Sequence, residues 1–262
     1  MNQLTDLLHI PDTQSERDDR HVPIQRVGIK GVRYPVQLQI LGMTQSAQAT
    51  WALDVALPAE KKGTHMSRFV AWLDALDTPL TAATLRERHQ QMLELLTAEE
   101  GRIEASFAFF LRKRAPVSGL ASLMDYQGRW VSQTVAGQTS VWAEVAVPVK
   151  SLCPCSKEIS DYGAHNQRSL VTIRAELLQP VEWHELVRFA EDSASSELWA
   201  MLKRPDEKWI TERAYENPKF VEDLVRDVAL RLNAEPRIGR YVAEVENFES
   251  IHNHSAYARI ER

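Results

Sequence analysis

An α+β fold, with antiparallel strands backed by helices, is what this sequence predicts, and three observations predict it. Val36, Leu38 and Ile40, then Ala47 through Leu57, alternate with polar residues at the period of two that marks half-buried strands. Beyond Pro58 the spacing lengthens to that of a helix. The second half of the chain then repeats the same order of elements with unrelated residues.

The elements follow in order. Residues 1–21 turn polar through Ser-Glu-Arg-Asp-Asp-Arg and read as an extended or partly ordered arm, with regular structure expected from near Pro23. The strands through Val36 and Trp51 pair as a long hairpin. Met66, Phe69, Val70, Leu73 and Leu76 form the apolar face of a first helix, and Leu85, Met92 and Leu96 mark a second after the Thr78-Pro79 break. Ile103, Ala105, Phe107, Phe109 and Leu111 share a strand face, and residues 122–135 form another strand, interrupted near Gly128. The first unit, 22–136, therefore reads strand, strand, helix, helix, strand, strand.

The second unit, 137–262, opens with Val141 to Val149 alternating, and a loop containing cysteine and histidine precedes the alternation of Val171, Ile173, Ala175 and Leu177. A helix is expected from Trp183 to about Ser193. Asn217-Pro218 reads as an N-cap and first helical position, opening a helix with Phe220, Val221, Leu224, Val225, Val228 and Leu232 on one face. Tyr241 to Val245 and Ser255 to Ile260 close with two strands. Two ββααββ units give four antiparallel strands and two helices twice over, each sheet leaving edges that association could cover.

The chain has 262 residues, of which 44% are hydrophobic and 26% charged, the composition of a soluble globular protein. A net charge of −5 argues against a nucleic-acid binder. No apolar run approaches the roughly 18–20 residues of a membrane span, and Asp6 and Asp12 stand where a signal peptide needs an apolar core. The reading is a cytoplasmic protein with no membrane partner.

Both cysteines of the chain, Cys153 and Cys155, lie in one stretch with His165 ten residues beyond the second. Thiolate and imidazole are good ligands for zinc-like ions. A closed structural zinc site would need four ligands, and a disulfide across one proline has poor geometry, which leaves a catalytic metal or a pair of buried thiols.

The whole run, Cys153-Pro-Cys155-Ser-Lys-Glu-Ile-Ser followed by Gly163-Ala-His165-Asn-Gln-Arg168, resembles the signature of the type IB GTP cyclohydrolases. That resemblance implies the tunnelling fold, assembled as a homotetramer with active sites between subunits. It also implies hydrolysis of GTP to 7,8-dihydroneopterin triphosphate and formate, the first step of tetrahydrofolate synthesis. Such a reaction needs an activated water, proton carriers, a purine anchor and a cradle for phosphates.

On this resemblance the metal ligands are Cys153 and His165, with Glu207, Cys155 and His252 as further donors. This mixed set suits Mn²⁺, Zn²⁺ or Fe²⁺. Cys153, Cys155, His252 and His254 are the catalytic candidates; the two tail histidines, placed on a strand, would face one side. Glu222 is the expected guanine anchor, because a carboxylate accepts from both N1–H and the 2-amino group. His65, Ser67 and Arg68, at the N-terminus of the first helix, are expected at the triphosphate, joined by Lys157, Arg168 and Lys219. Two other readings remain: an inactive metal- or pterin-binding relative, and a hydrolase or deaminase of another purine. A zinc deaminase would need His-x-Glu and Pro-Cys-x-x-Cys, where this chain has Cys-x-Cys.

Overall fold

Among the described residues apolar alternation becomes eight strands: β1 (Ile24–Ile40), β2 (Met43–Leu57), β3 (Gly101–Arg114), β4 (Ala121–Val135), β5 (Gln138–Leu152), β6 (Asn166–Leu177), β7 (Ile238–Asn247) and β8 (Ala256–Glu261). They belong to a computed structural model that describes residues 12–262. The part of the expected arm before residue 12 lies outside the described residues. The remainder is ordered earlier than expected, because Gly63 N–H donates to the Gln14 carbonyl at 3.1 Å and Asp18 N–H to that of Glu60 at 2.9 Å.

The strands pair antiparallel in sequence order, so the two expected sheets are one. The join is the β4–β5 hairpin, whose turn residues Ala136 and Gly137 both have positive φ (50° and 74°). Leu41 and Gly42 repeat that geometry between β1 and β2. Two successive left-handed residues give a turn whose twist matches the strands it joins. Among the described residues only β1 and β8 remain as edges.

Among the described residues six α-helices accompany the sheet: α1 (Met66–Asp74), α2 (Ala82–Leu96), α3 (Pro154–Ile159), α4 (Trp183–Glu191), α5 (Arg204–Glu216) and α6 (Val221–Ala234). α1, α2, α4 and α6 cover one face, and a single core runs beneath them. Trp183 of α4 packs its ring 4.8 Å from Trp130 and 5.5 Å from Phe107, so a helix of the second half sits on strands of the first. The helix-free face carries charge instead, with Arg26 bonded to Asp54 and Arg129 to Glu144.

Several local expectations are corrected. Met66 and Val70 are exposed, and the buried face of α1 is Phe69, Trp72 and Leu73. β4 runs unbroken through Gly128, where a Cβ would stand 2.7 Å from Phe107 Cε2; the glycine makes room for a ring rather than ending a strand. Asn217 does not open a helix. It caps the C-terminus of α5, and α6 begins at Val221 with Phe220 exposed at its N-cap. α5 escaped the periodicity reading because it buries only Asp206, Ile210 and Ala214, a stripe too narrow to register as an apolar face.

Strand polarity places the connections. The β1–β2, β3–β4, β5–β6 and β7–β8 connections share one end of the sheet, here called upper, while the β2–α1, α2–β3 and β4–β5 connections share the lower end.

Candidate active site

The β5–β6 connection holds both cysteines and His165. Cys153 is the N-cap of the one-turn helix α3, with Pro154 setting its first turn, and its Sγ accepts the Ser156 N–H at 3.5 Å. The Cys153 N–H donates to the His165 carbonyl at 3.1 Å, continuing the β5–β6 ladder past the strand ends and bringing the two residues opposite each other. Ser156 Oγ also accepts the His165 N–H at 3.1 Å. The tail arrives from β7: Ser250 Oγ lies 3.3 Å from His165 Nδ1. With Nδ1–H donating to that hydroxyl, Nε2 presents its lone pair, the arrangement that orients a metal-binding imidazole. Cys155 is exposed.

His252 and His254 occupy the β7–β8 loop, not a strand, since β8 begins at Ala256. They nevertheless share a side, their rings stacked with centroids 5.2 Å apart. Both are exposed at the upper end, beside the tail serine that reaches His165.

α5 lies across this upper end and ties the halves together. Its Asp206 is fully buried and accepts the N–H groups of Val117 (2.9 Å), Ser118 (2.8 Å) and Lys203 (2.8 Å) and the Ser118 hydroxyl (2.7 Å). Burial alone would raise its pKa, yet these hydrogen bonds outweigh it and hold the carboxyl well below the usual carboxylate range. Glu207, the next residue, is exposed in the same first turn. The other end of α5 meets the cysteine loop: Lys157 Nζ donates to the Tyr215 carbonyl at 2.6 Å and stands 4.4 Å from its ring centre. Glu207 precedes Tyr215 by about two turns, or roughly 12 Å of helix.

α6 also starts here, because Lys219 N–H donates to the Leu152 carbonyl at the end of β5 (3.0 Å). Glu222 is exposed in its first turn, and the Lys219 side chain pairs with Asp227 at 2.6 Å. Arg168 alternates onto the helix-free face, away from Cys153 and His165.

His65, Ser67 and Arg68 are elsewhere. They begin α1 at the lower end, around a cleft of about 260 Å³ lined also by Lys61 and Gly63. His65 Nε2 is 3.3 Å from Asp12, and Arg68 donates to the Leu95 carbonyl at 3.2 Å. β5 has 15 residues, so the two ends are separated by roughly 45 Å at about 3.3 Å per residue. Among the described residues no three His, Cys, Asp or Glu side chains gather closely enough to hold an ion.

Sequence reading overlooked Asp206 and Ser250. A signal for Asp206 existed: Arg204-Pro-Asp-Glu places proline and acids where a helix starts. Ser250 carried no signal of its own, since only strand register brings it to His165.

An eight-stranded antiparallel sheet with helices on one face defines a protein of the tunnelling fold. Arthrobacter globiformis uricase is similar in fold alone, with a TM-score of 0.50 over 91% of this chain and 93% of that one at 11% identity. The model of the type I GTP cyclohydrolase folE2 family matches residues 10–258, and the chain belongs to that family. It is 65% identical to the GTP cyclohydrolase FolE2 of Methylibium petroleiphilum, over 97% of this chain and 96% of the relative. The FolE2 protein of Paraburkholderia xenovorans is 61% identical over 100% and 98%.

Proposed function

We propose that this chain hydrolyses the imidazole ring of GTP, releasing C8 as formate and yielding 7,8-dihydroneopterin triphosphate for folate synthesis in the cytoplasm. The observation that carries the reading is the pairing of Cys153 with His165, opposite each other at the upper end of the sheet in a chain of this family. A half-buried thiol and a histidine whose Nδ1 is held by a hydroxyl fit a divalent ion. Glu207, His252 and Cys155 are the further donors we assign to it, and Mn²⁺, Zn²⁺ and Fe²⁺ all suit the set. When bound, such an ion supplies a water acidic enough to act as a nucleophile near neutral pH.

The chain's own groups do the rest. Glu222, at the start of α6 and exposed, accepts the N1–H and 2-amino donors of guanine. His252 and His254, stacked and open to solvent, carry protons to and from the ring nitrogens and ribose. Lys157, Arg168 and Lys219 at the upper end, and His65, Ser67 and Arg68 at the lower, are the phosphate contacts we assign. Groups some 45 Å apart cannot meet one nucleotide within one chain. On this assignment two copies contribute to one site, in keeping with the homotetramer we propose, each chain built from an arm (1–21) and two units (22–136 and 137–262).

Incubation with GTP and Mn²⁺, Zn²⁺ or Fe²⁺ is expected to release formate and an oxidisable, fluorescent pterin. Cys153→Ala should lower turnover by at least about 100-fold and strip the metal, with the circular dichroism spectrum unchanged. An active Cys153→Ala protein with its full metal content removes that residue from the site.

A further inference from the structure

On the helix-covered face, alternate residues of neighbouring strands line up in rows. Cys153 and His165 form one row. The next row, one pleat repeat or about 6.6 Å down the sheet, holds Ser151 opposite Gln167. β6 and β7 set Ser169 against Asn247, and the Phe248 N–H donates to the Arg168 carbonyl at 3.0 Å, so the same register carries Glu249 opposite Gln167. Gln167 is 8% exposed and Asn247 3%. Gln167 Oε1, Asn247 Oδ1 and Glu249 Oε2 are all buried and, among the described residues, without a hydrogen-bond partner. The neighbouring hydroxyls are satisfied, with Ser169 donating to Ser151 at 2.8 Å. Three unpaired buried acceptors on one patch of an otherwise paired floor mark a place where polar groups arrive from outside the chain.

We propose that Gln167, Asn247 and Glu249 form the subsite for the vicinal hydroxyls of the substrate's ribose, on the reading that GTP lies with C8 at Cys153 and His165. Charge excludes the triphosphate, since these three side chains bring one negative charge and no positive one. The donor edge of guanine is already assigned to Glu222, and the three unpaired atoms here are all acceptors. The two hydroxyls of a diol can each donate to such an acceptor. Covalent geometry agrees: C8 is bonded to N9, and N9 carries the ribose, so the diol falls within one row of the reacting carbon.

The test measures formate release, which requires no change at the ribose, from GTP, 2′-deoxyGTP and 3′-deoxyGTP by the metal-loaded full-length protein. The wild-type protein should prefer GTP by about tenfold to a hundredfold in kcat/KM, mostly through KM, the range expected for hydrogen bonds to a buried amide or carboxylate. Glu249→Gln and Gln167→Met should each erase the preference over one deoxynucleotide, raising KM for GTP to that of the analogue lacking the hydroxyl the residue holds, while KM for that analogue stays within about twofold. Asn247→Asp, nearly isosteric, provides a third variant should one of these not fold, with thermal melting as the check. Equal kcat/KM for all three nucleotides in the wild-type protein, as a floor filled only by water would give, overturns the proposal. So does a parallel loss on all three nucleotides in folded variants. Metal content of Cys153→Ala separates the two readings: full retention sinks the metal loop, whereas loss of metal beside equal use of the three nucleotides sinks the ribose floor alone.

Discussion

His89 shows how one buried side chain sets a pH limit on the whole fold. It sits fully buried in α2, with Nδ1 2.7 Å from Ser132 Oγ and Nε2 3.2 Å from Thr134 Oγ1, and burial pushes its pKa down to about 4. The unfolded chain takes up this proton near pH 6.5 and the native one only near 4, so between those values the unfolded state binds more protons. Stability conferred by the neutral ring is complete above about pH 6.5 and falls as pH drops towards 4. The loss between pH 7 and pH 5 should be about 2 kcal/mol. Urea midpoints at the two pH values would read it, and His89→Gln should flatten the difference; an unchanged slope in that variant assigns the effect elsewhere. Asp206 acts lower on the scale, its contribution present above the ordinary carboxylate pKa and lost as pH falls towards its depressed one.

At the scale of elements, β4 depends on an absent side chain. Gly128 lies mid-strand without a positive φ, and a Cβ there would meet Phe107 Cε2 at 2.7 Å and Phe109 Cδ1 at 3.2 Å. Those rings belong to the cluster that seats Trp183 of α4 on the first-half strands. Gly128→Ala should therefore destabilise the protein by roughly 1–3 kcal/mol through overpacking, despite the smaller entropy loss of alanine on folding. Urea unfolding would measure it, and an unchanged or raised midpoint means the rings can yield. The same cluster explains why sequence reading broke the strand at this position: a glycine in a strand signals a bend or a close approach, and only the partner across the sheet says which. α5 was illegible for a different reason, because its burial is polar at Asp206 and confined elsewhere to Ile210 and Ala214.

At the scale of the molecule, the sheet separates the two sets of proposed substrate contacts. Cys153 and His165 are at its upper end, and His65 and Arg68 at its lower. If one nucleotide needs both, a site takes its ends from different copies. Mixing inactive Cys153→Ala chains with inactive His65→Ala/Arg68→Ala chains, after subunit exchange, should then restore a fraction of wild-type formate release. No recovery in mixed oligomers of verified composition assigns both sets to one chain or removes the lower cleft from the reaction.

Residues 36–57, 101–111, 141–149 and 171–177 announced their strands, and α1, α2, α4 and α6 their helices, because side-chain periodicity is a local property that the backbone repeat imposes on any amphipathic segment. The Cys153–His165 loop was likewise legible as a motif, its chemistry written in residue type and spacing. The joining of two units into one sheet, the helix α5 laid across its upper end, and the row that sets Glu249 against Gln167 came from tertiary structure alone. Strand register and helix placement rest on contacts between residues up to about a hundred positions apart, such as Val117 with Asp206, and no local pattern in the chain encodes which distant backbone will arrive to pair.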